Sequence, residues 1–350
     1  MKGSITPMIR NRRILVTVIA TGLVLLTSIP GRSDSGGIPN ENAKGYWNRE
    51  NMANATPIEL VVDQKSGIGT VQPAAGGRNS GTVSTGTSTT KLATSDWPEA
   101  SKIAQTAVGK VFFSVGAKNY VCSGSFVKDG DPNRAIVLTA GHCAWDQTTK
   151  KFVTNWAFVP NYDAMPSGPI WYASALVLRN EFAQQARFNT TALQHDWAFA
   201  VILPKSSTSG TPAFLNPSGD LPDSNDLNSY DYNAIGFSSG NISYAFGYPA
   251  ATPYDGTKLK YAGATIFEDP NTSRSTWGMN SDMTGGASGG PWLSLTGTED
   301  GLQFGLSGNL SSLNSYKYNI DPSKMYGPKF NVKTTATLNA ARTALTNTRV

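Results

Sequence analysis

Thr284-Gly285-Gly286-Ala287-Ser288-Gly289-Gly290-Pro291 is the stretch whose reading decides the fold. Glycines on both sides of Ser288 let the backbone turn sharply, expose the hydroxyl and free nearby amides to point at one spot. The segment Gly286–Gly290 also fits the nucleophile elbow of α/β-hydrolases, but that fold places its histidine after the serine. This chain has two histidines, His142 and His195, and both precede Ser288. The elbow is excluded. A subtilisin-type order needs an aspartate ahead of the histidine. Asp129 and Asp131 stand there, yet Lys128-Asp129-Gly130-Asp131-Pro132-Asn133 reads as a turn.

Working back from the serine, His142 lies in Leu138-Thr139-Ala140-Gly141-His142-Cys143, directly after a strand-like run. Asp196 lies in His195-Asp196-Trp197-Ala198. The order His142, Asp196, Ser288 supplies what acyl transfer from an amide requires. Serine needs a base to take its proton, and histidine, titrating near neutral pH, takes it and returns it to the leaving amine. A carboxylate fixes the imidazole tautomer and stabilises the imidazolium. His195 is adjacent to Asp196, and neighbours on a strand face opposite sides, so the two do not pair. His195 is expected at the surface or lining a pocket.

Composition supports an all-β body. Charged residues make up 15% of the 350, below the roughly 25% of an average domain, and Gly, Ser, Thr and Asn are plentiful. Strand-like runs occur at Val111–Val115, Tyr120–Val127, Ala135–Thr139, Phe152–Val159, Ile170–Leu178, Trp197–Leu203, Ile242–Tyr248, Leu259–Phe267 and Leu302–Leu306. Short strands at this spacing predict an antiparallel barrel or sandwich. Residues 206–233 are a polar connection, and Val332, Ala336, Leu338, Ala341 and Leu345 predict one C-terminal helix.

The formal charge of +5 carries no nucleic-acid footprint: Lys2, Arg10, Arg12 and Arg13 supply four of it, and the rest of the chain is left at +1. That basic cluster precedes the apolar run Ile14–Ile29, so residues 1–30 read as a secretory signal peptide, with a retained anchor as the alternative. Residues 31–100, poor in apolar side chains, read as a propeptide or flexible linker; Trp47 and Ile58–Val62 hint at a portion folded against the main domain, but the reading is a solvated tail with a few sticky residues. Export implies that Cys122 and Cys143 are oxidised, and two cysteines cannot form a four-cysteine zinc site. Asp220, Asp223, Asp226 and Asp231 offer oxygen ligands for calcium but lack EF-hand spacing, so a solvated loop is the reading.

Thr139-Ala140-Gly141-His142-Cys143, Asp196-Trp197-Ala198, Gly247-Tyr248-Pro249 and Gly286-Ala287-Ser288-Gly289-Gly290-Pro291 together resemble the trypsin/chymotrypsin-like serine peptidases, and in texture the bacterial, V8-like branch. The resemblance runs from about residue 107 to the C-terminus. It implies two antiparallel β-barrels, about 107–205 and 234–330, with the triad in the cleft between them, in a domain spanning 107–345. His142 then acts as base and acid, Asp196 as its orienter and Ser288 as nucleophile, with the Gly286 and Ser288 amides forming the oxyanion hole. Cys122 falls where the family has the disulfide partner of Cys143.

Two departures follow from the same resemblance. Digestive members carry an aspartate before the nucleophile to bind a newly cut N-terminus, whereas here Ala287 stands there. Glutamate-specific V8-like members use a histidine after the nucleophile, and none follows Ser288. Asp282, six residues before Ser288, holds the offset of the trypsin-like pocket carboxylate and would bind lysine or arginine. Met283 would narrow the pocket, and Ser307-Gly308-Asn309 would form its far wall. The expectation is a secreted, monomeric serine endopeptidase acting on protein or peptide substrates, without metal or cofactor and without a membrane role beyond the signal segment. Its rivals are an inactive binding protein on the same fold and an esterase with the same triad.

Overall fold

Runs of β-branched and aromatic residues become strands, and the glycines, asparagines and aspartates between them become turns. The computed structural model describes residues 45–74, 94–98, 107–127, 129, 131, 134–162, 170–202, 242–295 and 308–350, all within one unit spanning Gly36–Val350. The signal segment, residues 31–44, the calcium-ligand candidates, the run Leu302–Leu306 and Ser307 lie outside the described residues.

The chain begins with a short helix, Arg49–Ala53, capped by Asn48. Strands β1 (Thr56–Asp63), β2 (Ile68–Pro73) and β3 (Ser95–Asp96) follow. The first body contains β4 (Val108–Val115), β5 (Lys118–Val127), β6 (Ala135–Thr139), β7 (Trp145–Asp146), β8 (Lys151–Phe152) and β9 (Thr154–Pro160). It is completed by β10 (Trp171–Tyr172), β11 (Ala175–Leu178) and β12 (Ala198–Ile202). The second contains β13 (Ile242–Gly247), β14 (Lys260–Thr265), β15 (Phe267–Glu268), β16 (Thr276–Asn280) and β17 (Pro291–Leu295). It ends with β18 (Gly308–Leu313), β19 (Tyr316–Tyr318) and β20 (Asp321–Pro328). The C-terminal helix, Val332–Ala341, and β21 (Thr348–Arg349) close the chain.

Each body is the expected antiparallel barrel. In the first, β11, β12, β6, β5, β4, β9 and β10 pair in that order. In the second, β18-β17-β13-β14 form one ladder and β15-β16-β20-β19 the other. The first core is built on Phe112, Phe126, Leu138, Phe158 and Val177, the second on Trp277, Met279, Trp292 and Met325.

Two details depart from expectation. The C-terminal helix forms, but Val332 and Leu345 are exposed; Thr334, Thr337, Leu338 and Ala341 make the buried face. Thr337 can do so because its hydroxyl bonds back to the Lys333 carbonyl at 2.7 Å. More important, residues 45–74 are not a solvated tail. Trp47, Met52, Leu60 and Val62 are buried in the main core. Strand β1 pairs in parallel with β5 of the first barrel and β19 of the second. It joins the first barrel to the β15-β16-β20-β19 ladder of the second in one fourteen-stranded sheet, while β18-β17-β13-β14 lie in a separate five-stranded sheet with β3.

Candidate active site

Strand pairing assembles the site. β6 leads into the single 3-10 turn Gly141–Cys143 that carries His142. β12 lies antiparallel to β6 with Ala198 opposite Thr139, so Asp196, just ahead of β12, arrives beside that turn. The carboxylate grips it at two points. Asp196 Oδ1 accepts the His142 backbone N–H at 2.8 Å, and Oδ2 lies 2.8 Å from His142 Nδ1. Both side chains are fully buried. A disulfide between Cys122 of β5 and Cys143 ties the same turn to the neighbouring strand, with Cα atoms 6.4 Å apart. Cys122, His142 and Cys143 cluster closely, but both sulfurs are consumed in that bond and offer no thiolate to a metal.

Ser288 sits in the loop between β16 and β17, and the first barrel holds that loop in place. The Ser288 carbonyl accepts from the Ser123 amide at 2.7 Å, and Ser123 Oγ donates to the Gly286 carbonyl at 2.8 Å. Gly286 and Gly289 have φ of +95° and +83°, backbone that side chains rarely adopt. A Cβ at Gly289 would stand 2.3 Å from Thr139 Oγ1, so the loop reaches β6 only because nothing protrudes there. His142 Nε2, the nitrogen a nucleophile would use, is buried without a hydrogen bond among the described residues.

Two site residues went unseen in the sequence. Ser315, just before β19, donates its hydroxyl to Asp196 Oδ2 at 2.6 Å. Asn314 buckles the serine loop: its amide nitrogen donates to the Phe246 and Ala287 carbonyls, and its own carbonyl accepts from Gly289 N–H. Neither has a local signature, since each acts through strands distant in the chain.

The other expected residues divide. Asp282 Oδ1 accepts from the Thr94 amide at 3.1 Å and from the Tyr254 hydroxyl at 3.0 Å. Lys317 lies in its field; burial pulls that lysine down to about 8, against the pull of Asp282, Glu59 and Asp321. Met283 does not narrow a pocket but packs fully buried in the second core with Trp292 and Ala287. Gly308 is also misplaced as a pocket wall. It pairs with Leu295 at the far end of the β17–β18 hairpin, whose near end, Pro291 opposite Leu313, adjoins the serine loop. Five strand residues separate those ends by roughly 13 Å. Ser315, just ahead of β19, and not Gly308, stands beside Asp196. His195 is buried, its Nδ1 on the Thr191 carbonyl at 2.8 Å, and burial lowers its pKa. It packs on Trp197 and is neither a surface residue nor a base. The Gly286 amide, expected to serve an oxyanion, donates to a protein atom, the Ile58 carbonyl at 3.0 Å.

No family model and no curated protein matches the sequence. Solved structures do. The chain is 33% identical to protease Anisep from Arthrobacter nicotinovorans, over 68% of this chain and 96% of that one, with a TM-score of 0.54. It is also 33% identical to AL20, a thermostable serine protease from an extremophilic microorganism, over 69% and 99% of the two chains, with a TM-score of 0.55. The chain belongs to the chymotrypsin-like serine peptidases. A Glu endopeptidase shares this peptidase fold at 15% identity, over 73% and 98% of the chains, with a TM-score of 0.50. Among the described residues of the peptidase, no helix is long and apolar enough to cross a membrane.

Proposed function

We propose that this peptidase hydrolyses peptide bonds in protein substrates through an acyl-enzyme formed on Ser288. The observation that carries the reading is the two-point grip of Asp196 on His142, through Nδ1 and the backbone amide. With Nδ1–H held by the carboxylate, Nε2 is left as the acceptor for the Ser288 proton. The alkoxide attacks the substrate carbonyl, whose oxygen becomes an anion on the Gly286 and Ser288 amides. Imidazolium then protonates the leaving amine, and water repeats the sequence to release the acid. This chemistry is carried by the side chains named and calls for no cofactor.

Steady-state hydrolysis tests it. The active form should cleave peptide amides as well as short esters, and Ser288→Ala and His142→Ala should lose both activities. A protein that cleaves esters and leaves amides untouched would be an esterase. One that does neither would be a binding protein on this fold.

Within this reading, Asp282 is the group that favours lysine or arginine before the cut, through a charge-assisted contact. An incoming cation would share that carboxylate with Tyr254 and Lys317. Cleavage of a peptide library without basic preference would remove the role. Export is proposed on the basic and apolar N-terminus, and the Cys122–Cys143 disulfide accords with an oxidising compartment. Mass spectrometry of the medium would find the protein there without residues 1–30; finding it only inside cells would overturn the proposal.

A further inference from the structure

Residues 56–63 lie across the catalytic centre as an added strand. Thr56 and Pro57 pair with Tyr120 and Val121 of β5, next to Cys122. The Ile58 carbonyl oxygen then accepts from the Gly286 amide, the group assigned to the oxyanion. Leu60, Val61 and Val62 go on to pair with Tyr316, Lys317 and Tyr318 of β19, immediately beyond Ser315. Strand β2 backs this segment, and the Ala74 amide closes on the Pro57 carbonyl at 2.9 Å. Nearby, Ser288 is 5% exposed and His142 3%. Adding a strand to an exposed sheet edge is how extended peptides are recognised in general, with main-chain bonds giving affinity.

Polarity decides what this strand can be. β1 runs from β5 towards β19, parallel to both. Once a carbonyl oxygen rests on Gly286, chain direction fixes the side on which its amide nitrogen lies. For Ile58 that nitrogen belongs to Glu59 and leads towards β19. The opposite flank borders a cleft of about 1010 Å³ lined by Ile58, Tyr120, His142 and Trp145. There the chain offers the Ile58 Cα, a carbon with nothing for imidazolium to protonate.

We infer that residues 45–74 are a reversed occupant of the substrate cleft: β1 fills the oxyanion donor and the β19 edge in the direction that the triad does not hydrolyse. The peptidase is silent while the segment stays, and the released segment is an inhibitor in trans. This rests on the triad proposed above. Ala287 offers no carboxylate to a newly cut N-terminus. Activation is departure of a strand, not insertion of a new N-terminus beside the nucleophile.

A recognition sequence for a sequence-specific endoprotease, inserted between Ala74 and Thr94, allows the segment to be severed in the full-length chain. Two readouts are followed before and after cutting: the rate of fluorophosphonate labelling of Ser288, and amide exchange at residues 284–288 and 316–318. The uncut chain should label at least about 100-fold more slowly, the ratio by which the closed state is then favoured. Exchange should be slow before cutting and fast after it. Leu60→Asp with Val62→Asp should speed labelling without any cut. Synthetic peptide 45–74, added back, should restore slow labelling and be recovered whole. Equal labelling of cut, uncut and Asp-substituted chains would overturn the inference, as would hydrolysis of the Ile58–Glu59 bond. If exchange responds to cutting while nothing labels in any state, the docking stands and the serine assignment falls.

Discussion

Ser315 donates its hydroxyl to Asp196 Oδ2 at 2.6 Å, on the same oxygen that faces His142 Nδ1 at 2.8 Å. The other oxygen is held by the His142 amide, so the carboxylate is oriented by the turn that carries His142 and by the residue just ahead of β19. Ser315→Ala removes one hydrogen bond to a buried charge, a loss of about 1.5–3 kcal/mol if all of it falls on the transition state. Steady-state kinetics should show kcat lower by about tenfold or more with KM little changed. Asp196→Asn, which presents the wrong tautomer partner, should lower kcat by about 10⁴. Equal, small losses in both variants would show that Asp196 does not orient the base.

Gly286→Ala should damage catalysis more than its size suggests. The position has φ +95°, and an added Cβ would meet the Tyr248 carbonyl at 2.9 Å. Displacing that amide removes an oxyanion donor, and kcat should fall by about 10²–10³. Circular dichroism of the same variant separates this from unfolding. Unchanged kcat would mean that the amide does not face the oxyanion.

The Cys122–Cys143 bridge closes a segment with a sequence separation of 21. Loops of that size gain about 3 kcal/mol from cross-linking, so Cys122→Ser with Cys143→Ser should lower denaturant stability by about that much. Activity should fall before global unfolding, because His142 is next to the released sulfur. Stability within about 0.5 kcal/mol of wild type would contradict the assignment of the bridge as structural.

Lys110 is fully buried, with Nζ donating to the Gly256 carbonyl at 3.1 Å and stacked over the Tyr162 ring. Burial pulls it to about 7, and Lys317 to about 8, from a lysine's usual 10.5. The unfolded chain therefore holds these protons to higher pH than the folded chain does. Below pH 7 both states carry the charge, and folding bears its full desolvation cost. As pH rises towards 10 the folded chain sheds the protons first, and stability climbs. Thermal melts should show Tm rising between pH 7 and 9.5, with Lys110→Met flattening the rise. A variant that climbs as steeply as wild type would contradict the buried charge.

Most of the site was legible because its chemistry is scarce. Two histidines, an aspartate just ahead of Trp197 and a serine between two pairs of glycines leave few arrangements, and chain order removes most of them. The barrels were legible because their ladders are mainly local hairpins, such as β4 with β5 and β13 with β14. What escaped acts over long range. β1 pairs with residues 120–121 and 316–318, and parallel pairing leaves no turn between partners to mark it. Its neighbours in sequence are polar, and Trp47 is buried by packing on Phe112 of the first barrel, a contact distant in the chain. Ser315 is one of many serines, and only the placement of β19 aims it at Asp196. The pocket wall was set one strand early, at Gly308, because β18 and β19 both follow the serine loop and offer similar polar residues.

Ser288 Oγ is the nucleophile that becomes acylated. Reaction of the released peptidase with a fluorophosphonate, followed by tandem mass spectrometry of its peptides, tests it most directly. One adduct per chain, on Ser288, absent from Ser288→Ala and strongly slowed in His142→Ala, is the predicted result. An adduct on another residue, or full labelling of the Ser288→Ala chain, would contradict it.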